Sequence, residues 1–146
     1  MIQQSTIEFI KKWEGVKYKA YKDVIGLDTI GVGHLIKSNE KDLLIKTLTE
    51  QEVDDLLRKD LKVCDTCIVN NVKVPLLQTQ FDALASFIFN LGIGAFGKST
   101  LLKKVNLKAP KEEISVEFKK WNKAGGKEVK GLTLRREAEA NLFNKA

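Results

Sequence analysis

The stretch from Val16 to His34 constrains the fold most, because its hydrophobic pattern is unlike anything else in the chain. It carries Tyr18, Tyr21, Val24, Ile25, Thr29, Ile30 and Val32. Gly15, Gly26, Gly31 and Gly33 punctuate it. Aromatic and β-branched residues between glycines read as short β-strands joined by turns. Both flanks read as helix. Ser5 to Trp13 has apolar positions at Ile7, Phe9 and Ile10, a Ser5–Glu8 capping box and a stop at Gly15.

From Thr49 onward helical signals dominate. Thr49 with Glu52 forms a second capping box ahead of the Val53, Leu56, Leu57, Leu61 stripe. Gln78 to Leu91 is rich in apolar residues and predicts a buried helix, broken by Gly92, Gly94 and Gly97. Further helices are expected over Ser99 to Val105, Lys111 to Asn122 behind Pro110, and Thr133 to Asn144. The sum is an α+β chain. A length of 146 residues suits one domain. Its small β-lobe spans about 15–49, and its helical lobe spans about 1–14 and 50–146.

Composition narrows the class. The chain is 43% hydrophobic, enough for a core, and its 30% charged residues are spread rather than blocked. The net charge of +6 draws it to polyanions, but nucleic acid, an anionic membrane and a bacterial wall all fit that description. The lysines are scattered rather than striped beside stacking aromatics, which argues against nucleic acid. Met1 to Trp13 lacks the apolar run of a targeting signal, and no segment approaches a membrane span, so synthesis as a soluble cytoplasmic chain is expected. Cys64 and Cys67 form one C-x-x-C without a second pair, and the one histidine is distant. They read as free thiols near a helix end or as a labile disulfide.

Glu14 ends the first predicted helix, Asp23 follows nine positions later in a turn, and Thr29 six after that. Two carboxylates and a hydroxyl suit glycoside hydrolysis. One acid protonates the leaving oxygen, and the second activates water or steadies a cation-like transition state. A helix C-terminus carries partial negative charge, which favours the protonated acid there. Spacing alone does not establish this, since solvated Glu/Asp pairs are commonplace. His34 reads as a hydrogen-bonded structural group because no nucleophile elbow accompanies it. Asp28 reads as a solvated turn residue, Trp121 as core, and Gly31 and Gly33 as a tight strand turn.

The stretch W-E-G-V-K-Y-K-A-Y-K-D-V-I-G-L-D-T-I-G-V-G-H-L closely resembles the signature of the phage-type lysozymes, glycoside hydrolase family 24. That signature is Glu, eight residues, Asp, five residues, Thr. The resemblance extends to V-P-L-x-Q-x-Q-F-D-A-L, F-I-F-N-L-G, A-F-G-K-S-T-L-L, W-N-K-A-G-G and G-L-T-L-R-R-E-A-E, so it covers most of the chain.

It implies a lysozyme-like fold with substrate in a cleft between the lobes. The implied reaction is hydrolysis of the β-1,4 bond between N-acetylmuramic acid and N-acetylglucosamine in peptidoglycan, lysing the host at the end of a phage cycle. Glu14 would be the general acid, Asp23 the carboxylate beside water and Thr29 the residue placing that water. Members are inverting, which calls for carboxyl groups roughly 6.5–9.5 Å apart. Leu35, Phe89 and Thr100 match sugar-contacting positions, and Ser115 is a looser match. Arg135 falls where the family sets an arginine against the acid, and such a neighbour favours the charged carboxylate. The resemblance implies no metal or organic cofactor. It also implies a monomer without stable membrane insertion, and a holin that opens the way to the wall.

The rivals differ in what they need. A lytic transglycosylase uses one acid and the sugar's own hydroxyl, leaving Asp23 and Thr29 without a task. A non-catalytic wall-binding module has no use for Glu14.

Overall fold

A computed structural model describes residues 1–145 of the chain. Packing divides them into two compact units, Ile7–Lys62 and Met1–Thr6 with Val63 onward. Helix α1, Gln4–Glu14, contributes residues to both.

In the Ile7–Lys62 unit, α1 leads into a three-stranded antiparallel sheet. Its strands are β1 (Lys17–Lys22), β2 (Asp28–Gly31) and β3 (His34–Leu35), in the order β1-β2-β3. The strands and turns expected between Val16 and His34 are present. Tyr21 pairs with Thr29, and Thr29 pairs with Leu35 on its other side. The β2–β3 turn needs left-handed backbone at Gly31 (φ 67°) and Gly33 (φ 66°), which glycine adopts without steric cost. A 3₁₀ segment, Ser38–Leu44, precedes α2, Glu50–Asp60. The Thr49–Glu52 capping box forms as expected: Thr49 Oγ1 accepts from Glu52 N–H at 3.1 Å, and Glu52 Oε1 accepts from Thr49 N–H at 2.9 Å. Val53 and Leu57 on α2 are buried, as are Ile30 and Val32.

The other unit is helical: α3 (Lys62–Asn71), α4 (Gln78–Leu91), α5 (Ile93–Lys98), α6 (Thr100–Asn106), α7 (Lys111–Lys119) and α8 (Lys130–Phe143). Helix α4 has the bounds its composition predicts, and every residue from Phe81 to Ile88 is buried. It packs most extensively on α8. Phe87 is the centre of an aromatic cluster, edge-on to Phe96, Phe118 and Trp121 at 6.1, 5.7 and 5.6 Å between ring centroids. Burying a side chain of this size contributes about 1.5–3 kcal/mol. Half-buried Trp121 therefore packs on core rings. Both cysteines lie on α3, buried and unbridged.

Five expectations need correction. Helix α1 starts one residue early, and the Ser5–Glu8 box does not form. Ser5 Oγ instead donates to Asp82 at 2.6 Å, Thr6 Oγ1 donates to the same carboxylate at 2.5 Å, and Thr6 Oγ1 accepts from Gln3 N–H. Asp28 is a strand residue rather than a turn residue: it opens β2, with its partly exposed carboxylate 2.6 Å from Lys22 Nζ. Helix α7 ends at Lys119 rather than Asn122, and α8 begins at Lys130 rather than Thr133. Between them lies an unforeseen hairpin of β4 (Lys123–Ala124) and β5 (Lys127–Glu128), turning at Gly125 and Gly126 with φ of 58° and 80°. Among the described residues, no helix is long and apolar enough to cross a membrane.

Candidate active site

Glu14 is the last residue of α1 and is exposed. Gly15 then takes φ 77°, donating its N–H to Lys11 O at 2.9 Å, and turns the chain directly into β1. The helix is held from below: Lys11 Nζ lies 2.7 Å from Asp54 on α2, and this contact raises the lysine's pKa. The acid thus sits at the mouth of a helix-to-strand junction.

Asp23 opens the β1–β2 loop. Its N–H donates to Leu27 O and its carbonyl accepts from Gly26 N–H, both at 2.9 Å. Its side chain organises the same loop: Oδ1 accepts from Ile25 N–H at 3.0 Å and from Leu27 N–H at 2.8 Å. An aspartate bonding backbone donors downstream is the ordinary reason for this residue type at a turn. With Oδ1 committed to the loop, Oδ2 has no partner among the described residues.

Thr29 lies on β2, where one strand pairs on each side, and is 2% exposed. Its Oγ1 donates to Leu27 O at 2.9 Å. Leu27 therefore ties the two groups together: its N–H holds Asp23 and its carbonyl holds Thr29. Because the threonine's proton is already used, Oγ1 faces any further partner as an acceptor. Asp23 Oδ2 and Thr29 Oγ1 are thus both left as hydrogen-bond acceptors.

Leu35 is Thr29's partner across β3 and is 50% exposed, offering an apolar surface beside the pair. His34 is buried one residue away. Its Nδ1 lies 2.7 Å from Asp60 Oδ2 and its Nε2 lies 3.0 Å from Glu40 Oε1. The ring thus links β3, the 3₁₀ segment and the end of α2. The His34 bond, with a second from Lys37 N–H, holds the Glu40 carboxyl below its ordinary value.

The remaining sequence candidates lie on separate helices of the other unit. Phe89 is half-buried on α4, Thr100 is exposed at the start of α6 behind the Ser99 cap, and Ser115 on α7 accepts from Asn144 Nδ2 at 2.8 Å. Arg135, on α8, is 5% exposed. It donates to Ser86 O and Oγ at 3.1 and 3.2 Å and to Glu139 Oε2 at 3.3 Å. Ser86 Oγ donates to Glu139 at 2.6 Å, and fully buried Arg136 donates to the same carboxylate at 3.1 Å. Burial pushes the Glu139 carboxyl up, against the pull of Arg136, Ser86 and Arg135. Among the described residues, no three His, Cys, Asp or Glu side chains group into a metal-binding set.

Sequence reasoning brought Asp23 and Thr29 together and missed what joins them, since a backbone link at Leu27 leaves no residue-type signal. It also missed Asp60 and Glu40 around His34, and Ser86 and Glu139 around Arg135. A buried polar partner of an arginine or histidine is the one sign that could have flagged them.

Comparison with known proteins gives the family of the chain. The family model described as phage lysozyme matches residues 11–139. An endolysin of Acyrthosiphon pisum secondary endosymbiont phage 1 is 39% identical over 149 residues, covering 99% of each chain. The crystal structure of a P22 lysozyme mutant superimposes with a TM-score of 0.90 at 39% identity, over 98% of this chain and 97% of that one. The muramidase domain of SpmX from Asticaccaulis excentricus gives a TM-score of 0.86 at 35% identity, over 100% and 99%. The α+β architecture is the lysozyme-like one. On sequence and fold together, this chain belongs to the phage lysozyme family.

Proposed function

We propose that this lysozyme, a peptidoglycan hydrolase of the phage endolysin type, cuts its glycan strand by single displacement with inversion at the muramic acid carbon. Glu14 donates the proton to the leaving oxygen. Asp23 Oδ2 takes one proton from the attacking water, and Thr29 Oγ1 holds that water by accepting a hydrogen bond from its other O–H, which stays on the new sugar hydroxyl. The observation that carries this reading is the Leu27 link. It fixes one oxygen of Asp23 and the hydroxyl proton of Thr29, so that the atoms left over are two acceptors for one water.

The other assignments follow from the family. Leu35, Phe89 and Thr100 contact the sugar, with Ser115 a further polar contact. Arg135 is the arginine the family pairs with its catalytic acid, with its guanidinium held in direction by Ser86 and Glu139, and His34 braces the sheet that carries Thr29. The chain works as one lysozyme-like domain and as a monomer. It is made in the host cytoplasm and reaches the wall from the periplasmic side through a path opened by a holin.

Mass spectrometry of muropeptides released from purified sacculi tests the reaction class. Hydrolysis yields muropeptides with a reducing muramic acid end. Products lighter by one water, as 1,6-anhydro sugars, would move the chain to the transglycosylases and strip Asp23 of its role.

A further inference from the structure

A recess at the ends of four helices of the Val63-onward unit has no part in the proposed chemistry. It encloses about 410 Å³, within the range of small-molecule sites. Its floor is apolar: Val105 of α6, Ile114 of α7 and Phe143 of α8 are each no more than 6% exposed, and Leu77, ahead of α4, flanks the mouth at 58%. Around it stand Lys108, Lys111 and Lys145, all exposed, and no aspartate or glutamate among the described residues lines the space. None of the three ammonium groups has an ion-pair partner among the described residues. The nearby Glu113 is held elsewhere, 2.6 Å from Lys104 Nζ.

Lys108 adds an independent observation. Helix α6 ends in a two-bond C-terminal turn, with Lys108 N–H on Val105 O and Ala109 N–H on Lys104 O, both at 3.0 Å. The residue that ends such a turn in left-handed backbone is usually glycine, or else asparagine. Lys108 occupies it with φ 52°, the one non-glycine residue with positive φ among those described. A side chain there carries a steric cost that glycine would not. Strain kept at a residue on the rim of a cavity points to a use for that side chain.

We propose that this recess binds a fatty-acid-like ligand, one acyl chain bearing a carboxylate or phosphate head. The chain lies on Val105, Ile114 and Phe143, and the head meets Lys108 and Lys111. The apolar floor accounts for the tail, and three cations with no ion-pair partner or facing side-chain carboxylate among the described residues account for the sign of the head.

The test is titration of the whole protein with dodecanoate and, separately, dodecyltrimethylammonium. Both are kept below the concentration at which they form micelles, and backbone amides are followed by NMR. Dodecanoate is expected to shift the Val105, Lys108, Ile114 and Phe143 amides saturably, and the cation is not. Lys108→Asn, which suits left-handed backbone and removes the charge, is expected to melt no lower than the parent. It should bind dodecanoate about two- to fivefold more weakly, the range of an exposed charge pair. Lys111→Gln should weaken binding by a similar factor. Equal shifts with both amphiphiles, shifts centred elsewhere, no binding of dodecanoate, or unchanged affinity in both variants would each overturn the proposal.

Discussion

Asp23 and Thr29 are bonded to opposite ends of one residue: Leu27 N–H donates to Asp23 Oδ1 at 2.8 Å, and Leu27 O accepts from Thr29 Oγ1 at 2.9 Å. Each side chain is anchored to the same loop, and neither can turn without breaking a bond to it. The β1–β2 hairpin is thus a holder for two oxygen acceptors, and α1 delivers Glu14 to the strand that leads into it.

Replacing Glu14 by glutamine is expected to leave the fold intact, because the residue is exposed at a helix end. Lysis should fall by roughly 10²–10⁴-fold, the contribution of a positioned general acid. Turbidity clearing of bacterial walls, beside circular dichroism, checks both halves. A folded variant that clears walls at the parent rate would remove Glu14 from the mechanism.

Acid should loosen the brace around His34. The His34 bond, then Lys37 N–H, holds the Glu40 carboxyl below its ordinary value of 4.5. Between the folded value and 4.5 the native chain binds fewer protons than the unfolded chain, so stability rises with pH across that window. The contribution is full above the unfolded value and is lost as pH falls through the folded one. Thermal melts from about pH 6 to pH 3 should therefore drop less steeply for Glu40→Gln than for the parent. Parallel curves would show that this carboxylate is not the group being titrated.

The cysteines should be inert in the native chain. Burial, with smaller effects from Cys67 and Asp65, pushes the Cys64 thiol up to about 12, and burial raises Cys67 as well. At about pH 8 Cys64 then holds roughly a thousandfold less thiolate than an ordinary cysteine. Alkylation by iodoacetamide is expected to be slow until denaturant is added. Rapid native labelling of Cys64 would contradict its burial.

Local signals were legible in the sequence where the structure answers them locally. Thr49 and Glu52 cap α2 because both partners lie within one turn, and α4 follows its apolar run because its middle is buried without a break. Ser5 failed for a reason of distance: Asp82, 77 positions away, competes for its hydroxyl. The β4–β5 hairpin was missed because two-residue strands show no alternation, though Gly125–Gly126 is the turn signal that was there to read. In the candidate site, Glu14, Asp23 and Thr29 were named by spacing and family likeness. What sets the geometry of the last two is the backbone of Leu27, and backbone bonds carry no side-chain signature. Arg135 is buried among Ser86 and Glu139. Those partners come from α4 and from its own helix, and neither is predictable from charge pattern alone.

Asp23 and Thr29 are proposed to hold the attacking water together. The most direct measurement is the anomer first formed on a soluble glycan substrate, by proton NMR, for the parent and for Thr29→Glu. Water held on the far face of the sugar predicts the α-anomer from the parent. A glutamate in place of Thr29 puts a carboxylate where the water stood, and is predicted to give a covalent adduct or the β-anomer. An initial β-product from the parent would mean retention, and the water-holding role of the Asp23–Leu27–Thr29 link would be wrong.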